Sequence, residues 1–277
     1  MSGTSAERHF SPLTSLFLGA GRSLLIPYAV GGFPDLEGCS ATLEVYLECG
    51  ADLVEIGIPF SDPLADGPVI QGASQVALRQ GVRPADVLRL AGLAAGKGAK
   101  VILLCYLNPI LAFGVERFFA RCRDEGVLGV VIPDLPAEEA DQVQAEAQSC
   151  GVDVILLAAP TSTESRLARI GRAASGFIYC VSTTGVTGVR DRLRADLPSF
   201  VARVREHTSL PLAVGFGVST AEQAEQVATF ADGVIIGSAL VGLIAKSASL
   251  DEGLRAVGSF LHEVKRMPSF SKKSFRT

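Results

Sequence analysis

Along the chain, short and almost continuously apolar runs take turns with longer stretches that carry one polar face. The apolar runs are LLIPYAV (24–30), DLVEIGI (52–58), KVILLCY (100–106), LGVVIPD (128–134), DVILLAA (153–159), GFIYCVS (176–182), LPLAVGFG (210–217) and DGVIIGS (232–238). Runs of this length without strict alternation predict parallel strands covered on both faces. The intervening stretches read as amphipathic helices. PAEEADQVQAEAQSCG, for example, has acidic residues in its first turn and closes on Gly151, which are the start and stop signals of a helix. Eight strand-then-helix units without a linker predict an α/β chain forming a single (β/α)8 TIM barrel over residues 1–277. An extra helix is expected over 5–20 and a flexible tail over 266–277. A doubly wound sheet is the alternative, but it would show about five or six strands and an early glycine fingerprint.

Composition narrows the function classes. Of 277 residues, 48% are hydrophobic and 19% charged, which excludes a disordered chain. The balance of 25 basic and 29 acidic side chains gives a net charge of −4, the wrong sign for gripping phosphate backbones. No apolar run approaches the roughly 18 residues of a membrane span, and the opening MSGTSAERHF lacks a secretory pattern. Six cysteines (Cys39, Cys49, Cys105, Cys122, Cys150 and Cys180) are scattered with no C-x-x-C pair. That spacing suits neither a disulfide framework nor a zinc site, so the chain reads as cytoplasmic with ordinary core cysteines.

In such a barrel the chemistry sits on the loops after the strands, which directs attention to VEIGIPFSDPLADGP (54–68). A carboxylate inside an apolar strand, Glu55, is costly unless it is paired or poised for acid–base work, because burial raises its pKa. Asp66 follows on a proline-rich loop and, taken alone, is more often a turn residue of an Asp-Gly pair, but two carboxylates at the barrel's active end favour function. The last three loops, STTGVTG (182–188), GFGVS (215–219) and GSA (237–239), are glycine-rich. Gly188, Gly217, Gly237 and Ser238 are therefore candidate phosphate-binding positions, and the structural alternative is plain βα turns. Tyr28, Tyr106, Tyr179 and Asp134 stand at other strand ends. No lysine lies at the C-terminal end of a predicted strand, and His9, His207 and His262 form no ligand pair. If a carbon–carbon bond is broken here without a Schiff base or metal, the substrate must provide its own electron sink.

These segments carry a resemblance. VEIGIPFSDPLADGP, with LLIPYAVGGFPD before it and STTGVTG, GFGVS and DGVIIGSA after it, resembles the tryptophan synthase alpha subunit family over roughly residues 10 to 265. The resemblance implies cleavage of indole-3-glycerol phosphate to indole and D-glyceraldehyde 3-phosphate, with no metal and no Schiff base, the protonated indole acting as the sink. It implies that Glu55 protonates the indole ring and helps the glycerol hydroxyl lose its proton, and that Asp66 accepts the indole N–H. Tyr179 would lie beside the reacting groups, while Tyr28, Leu104 and Ile236 or its neighbours would line the indole pocket. Tyr106 and Asp134 join them as candidate substrate-binding residues, and Thr187 would close over the substrate. It further implies an alternating αββα complex (α2β2) with a beta subunit that carries pyridoxal phosphate, this chain holding no cofactor of its own. Asp62, Pro63, Asn108 and Pro136 match positions facing that partner. One departure stands in the late loop, where Thr183-Thr184 replaces an Arg-Ala pair common in the family. A stand-alone indole-releasing lyase and a catalytically weak regulatory subunit are the alternatives. The chain contains no Trp, which suits an enzyme needed when tryptophan is scarce.

Overall fold

The computed structural model describes residues 10–181, 195–215 and 217–271. Its strands are β1 (Leu24–Val30), β2 (Val54–Gly57), β3 (Val101–Leu104), β4 (Val127–Val131), β5 (Asp153–Ile155), β6 (Leu157–Ala158), β7 (Ile178–Val181), β8 (Leu212–Gly215) and β9 (Gly233–Ile236). They form one sheet in the order β5-β4-β3-β2-β1-β9-β8-β7-β6, and every pairing is parallel. The two ends of that order, β5 and β6, are halves of the single run expected at 153–159, interrupted at Leu156. The first half pairs with β4 and the second with β7. The run thus changes neighbour midway and closes the barrel, so eight expected staves and nine observed strands describe the same architecture.

Register decides which side chains face inward. Tyr28 pairs with Glu55, and Glu55 pairs with Ile102. On the other side Tyr179 pairs with Ala213, which pairs with Gly233, two residues before Ile235. Side chains alternate along a strand, so Tyr28, Glu55, Leu104, Tyr179 and Ile235 share the barrel interior. Ile236 pairs with Pro27 and takes the opposite face. The pocket-lining residue on β9 is therefore Ile235, the neighbour of Ile236.

The bottom of the barrel is closed by the helix Pro12–Ala20, with Ser11 as its N-cap accepting the Thr14 N–H. Its expected first residues, 5–9, lie outside the described residues. Leu13 and Phe17 are buried, and the Phe17 ring meets Phe177 at 5.1 Å. Ser11 and Thr14 bond to Asp153 and to the Gly176 carbonyl. At the same end Asp52 accepts the Leu25 N–H at 2.9 Å, Arg22 Nη1 at 2.8 Å and Lys265 Nζ at 3.1 Å. That network ties β1 to the start of β2 and to the long helix Leu250–Arg266.

The flexible tail expected from 266 needs correction. Pro268–Ser271 forms one more helical turn, Phe270 is buried, and Ser269 bonds through N and Oγ to Glu225. Burial of the phenyl ring and the bonds to Glu225 act together against the entropy of ordering this short segment. Residues 272–277 lie outside the described residues.

Candidate active site

Glu55 sits on β2 with its side chain inside the barrel. It is 0% exposed, and neither carboxyl oxygen has a hydrogen-bond partner among the described residues. Burial pushes its pKa from 4.5 up to about 8, and the nearby Asp66 charge adds to the shift. At neutral pH it is mostly a neutral acid with a proton to give.

Asp66 belongs to the loop between β2 and the helix Pro68–Arg79. The loop leaves β2 still paired, with the Ile58 N–H on the Leu104 carbonyl at 2.8 Å. It then folds into a turn in which the Asp66 N–H reaches the Pro63 carbonyl at 3.0 Å. Gly67 is the N-cap and Pro68 the first residue of the following helix, where proline's fixed φ and absent N–H cost nothing. Asp66 is buried. Burial raises its pKa from 3.8 to about 6, against a Tyr106 hydrogen bond that lowers it. Two carboxyl groups interact across the site, and their surroundings give them opposite protonation states at neutral pH.

Around them stand Tyr28 and Tyr179, both buried, with phenols held well above the ordinary value chiefly by burial. Each needs a glycine on the neighbouring strand. A Cβ at Gly57 would lie 2.1 Å from the Tyr28 Oη, and one at Gly215 equally close to the Tyr179 Oη. Above the acid pair opens a cavity lined by Tyr28, Asp66, Leu104, Tyr179 and Ile235, with Ile70 from the helix Pro68–Arg79. It lies at the end of the barrel where the strands finish, the end at which such folds place their sites. Its far wall is Gly217, Gly237 and Ser238. Gly217 has φ +91°, a conformation that a Cβ disfavours. Gly237 caps the helix Ser238–Lys246, whose first-turn N–H groups have no acceptor within the helix and favour an anion. One end of the cavity is thus built for an anion, the middle is aromatic and aliphatic, and acid chemistry stands at its floor.

Residues 17–267 match the family model of the tryptophan synthase alpha chain. The tryptophan synthase alpha chain of Streptomyces avermitilis is 44% identical over 269 residues, covering 95% of this chain and 97% of its own. That of Gloeobacter violaceus is 47% identical over 243 residues, covering 87% and 88%. Among solved structures, tryptophan synthase from Mycobacterium tuberculosis aligns with a TM-score of 0.86 at 38% identity, covering 92% of this chain and 97% of that one. The tryptophan synthase alpha chain from Legionella pneumophila aligns with a TM-score of 0.84 at 33% identity, covering 95% and 98%. The chain belongs to the tryptophan synthase alpha chain family.

In this family member the cavity gathers Tyr28, Asp66, Leu104, Tyr179, Gly217, Gly237 and Ser238 over Glu55. Thr183, Thr184, Thr187 and Gly188 lie outside the described residues. Two expected substrate-binding residues are not on the cavity wall. Asp134 is exposed, and its carboxylate accepts the Leu107 N–H at 2.8 Å, capping the helix Leu107–Phe113 from the neighbouring loop. Asp134 lines instead an adjoining cleft with Pro136, Ser162 and Arg166. Tyr106 is buried behind Asp66. Asp62 and Asn108 are exposed at the rim, and Pro63 and Pro136 half-buried beside them. Leu64, between the first two prolines of the Asp66 loop and its end, is 86% exposed. Ile70 gives no signal in the sequence because it belongs to a helix, and only the loop's fold swings that helix over the barrel mouth. Among the described residues no group of three His, Cys, Asp or Glu side chains is placed to hold a metal ion, and no helix is long and apolar enough to cross a membrane.

Proposed function

We propose that this cavity carries out the alpha reaction of tryptophan biosynthesis, the cleavage of indole-3-glycerol phosphate to indole and D-glyceraldehyde 3-phosphate. Family membership supports a lyase acting on that substrate. The observation that carries the mechanism is the pair of buried carboxyl groups at one cavity, with burial raising Glu55 to about 8 and Asp66 only to about 6. Glu55, neutral and without a hydrogen-bond partner among the described residues, gives its proton to C3 of the indole. The ring becomes an iminium-type sink, with the N–H hydrogen-bonded to ionised Asp66, which stabilises the positive charge. The bond from C3 to the hydroxyl-bearing carbon breaks, its electron pair neutralises the ring, and that hydroxyl loses its proton to the Glu55 carboxylate. Indole and an aldehyde result, and Glu55 regains its proton. No lysine or metal is required, because protonation makes the substrate its own electron sink. Gly217, Gly237 and Ser238 hold the phosphate through backbone N–H groups, joined by Gly188, while Thr187 closes over the substrate.

The same reading makes the chain the cytoplasmic alpha half of an α2β2 complex. The pyridoxal phosphate belongs to the beta subunit, and this chain needs no cofactor. Asp62, Pro63, Asn108 and Pro136 face that partner. The exposed Leu64 among them supports this, since a large aliphatic side chain in water gains by being covered. The deciding experiment is an indole-release assay on the purified chain and its Glu55→Gln variant. The variant is expected to bind substrate yet lose nearly all turnover, and substantial residual turnover would mean that Glu55 is not the proton donor.

A further inference from the structure

One side chain holds the Asp66 loop through three separate contacts. Tyr106 lies just past β3, at the N-cap of the helix Leu107–Phe113. Its Oη accepts the Ala65 N–H at 3.0 Å, which sets the hydroxyl beside the Asp66 carboxyl, whose ionised form it favours. Its ring packs on Phe60 with centroids 5.2 Å apart. A single residue thereby grips both the start and the end of the segment 60–66. Gln71 grips it from the opposite side, with Nε2 donating to the Asp66 carbonyl at 2.9 Å and to the Pro63 carbonyl at 3.4 Å. The seat of Tyr106 is itself fixed by Asp134, which caps the next residue, Leu107.

We propose that Tyr106 is the positioning residue of Asp66, with Gln71 holding the loop backbone, and that neither acts by touching substrate. The proposal deepens the function above and rests on it. A phenol has one proton to donate. By giving it to Asp66 and accepting the Ala65 N–H, Tyr106 fixes both the rotamer of the carboxylate and the backbone beside it. A hydrogen bond donated to a carboxylate also favours its ionised form, the form needed to receive an indole N–H. Tyr106 is absent from the cavity wall, so removing its hydroxyl leaves the apolar contacts available to substrate as they are. Placement of a catalytic group matters steeply, because small displacements lose much of the rate.

The test uses the full chain as wild type, Tyr106→Phe and Gln71→Met, with indole release from indole-3-glycerol phosphate followed against pH. A urea transition confirms that each variant is folded, and an NMR titration follows the Asp66 carboxyl. Tyr106→Phe keeps the ring contact with Phe60 and loses the hydroxyl. It is expected to lower kcat by about tenfold or more, the size of a charge-assisted hydrogen bond. KM should change by less than about threefold, as for an interaction made mainly in the transition state. The acid limb of the profile and the Asp66 titration should both move to higher pH by about half a unit or more, with the alkaline limb in place. Gln71→Met should lower kcat and leave the acid limb where it is, because Gln71 holds the carbonyl and not the carboxylate. A Tyr106→Phe chain with wild-type kcat and an unmoved Asp66 titration, or one impaired through KM alone, overturns the proposal. A wild-type chain that releases no indole overturns the function itself, and the proposal with it.

Discussion

Replacing Glu55 with Gln should stabilise the protein, and by an amount that depends on pH. The folded chain holds this carboxyl with no hydrogen-bond partner among the described residues and no exposure. Its pKa is about 8 against 4.5 in the ordinary state. A raised folded-state value costs no stability below 4.5, costs progressively more as pH rises, and levels off above about 8. At about 1.4 kcal/mol per pH unit, the cost is about 1 kcal/mol near pH 5.5, about 3 near pH 7 and about 5 near pH 9. Gln has almost the same volume and the same buried polar group at every pH, so the difference between the two chains isolates the charge. Against a typical total of about 5–15 kcal/mol, the gain at neutral pH is large. Urea transitions of both chains near pH 5.5, 7 and 9 measure it, with the slope held common so that midpoints convert to free energy. The gap should widen with pH and then flatten. A gap that is constant across the series would refute the burial argument, because then nothing in the folded state opposes ionisation of Glu55. The same substitution is the one expected to abolish turnover, so the acid is retained at the expense of stability.

The wild-type kcat/KM should be bell-shaped, falling below about 6 as Asp66 takes up a proton and above about 8 as Glu55 loses one. In Asp66→Asn the residual activity should have lost the acid limb, and a surviving limb would assign it to another group. Gly57→Ala should place a methyl 2.1 Å from the Tyr28 hydroxyl, lowering stability by about 1–3 kcal/mol and displacing the phenol from the cavity wall. Thermal melting together with substrate affinity checks this, and unchanged values for both would contradict the close approach. Phe270→Ala should cost about 3–5 kcal/mol if the last helical turn is docked on the barrel. A change under about 0.5 kcal/mol, measured by urea unfolding, would return this segment to a frayed tail.

The barrel was legible because strands buried on both faces need unbroken apolar runs, and eight such runs stand in the sequence. Glu55 was legible for the same reason, as a carboxyl group where water is excluded. What failed to show in the sequence was decided at long range. The helix Pro12–Ala20 was expected, but its bonds to Asp153 and Gly176 were not, and Phe270 is anchored by packing and by the bond between Ser269 and Glu225, partners distant along the chain. The choice between Ile236 and its neighbours stayed open in the sequence, because Ile235 and Ile236 are equally apolar and only register with Ile26 and Pro27 separates inside from outside. Asp134 had the place and chemistry of a ligand, yet its carboxylate turns to the backbone of a neighbouring loop. Gln71 and Tyr106 look unremarkable in sequence, since their roles exist only once the Asp66 loop folds between them.

Three of the four tyrosines, Tyr28, Tyr106 and Tyr179, surround the acid pair, and the chain has no tryptophan. The site is therefore optically isolated. Any indole absorbance or fluorescence in a mixture of this chain and substrate comes from substrate or product alone. Most of the phenol signal comes from within the site, and the fourth tyrosine, Tyr46, stands behind it with its hydroxyl on the Tyr28 carbonyl. Loading of the cavity, titration of its carboxyl groups and release of product can each be followed on the unlabelled protein.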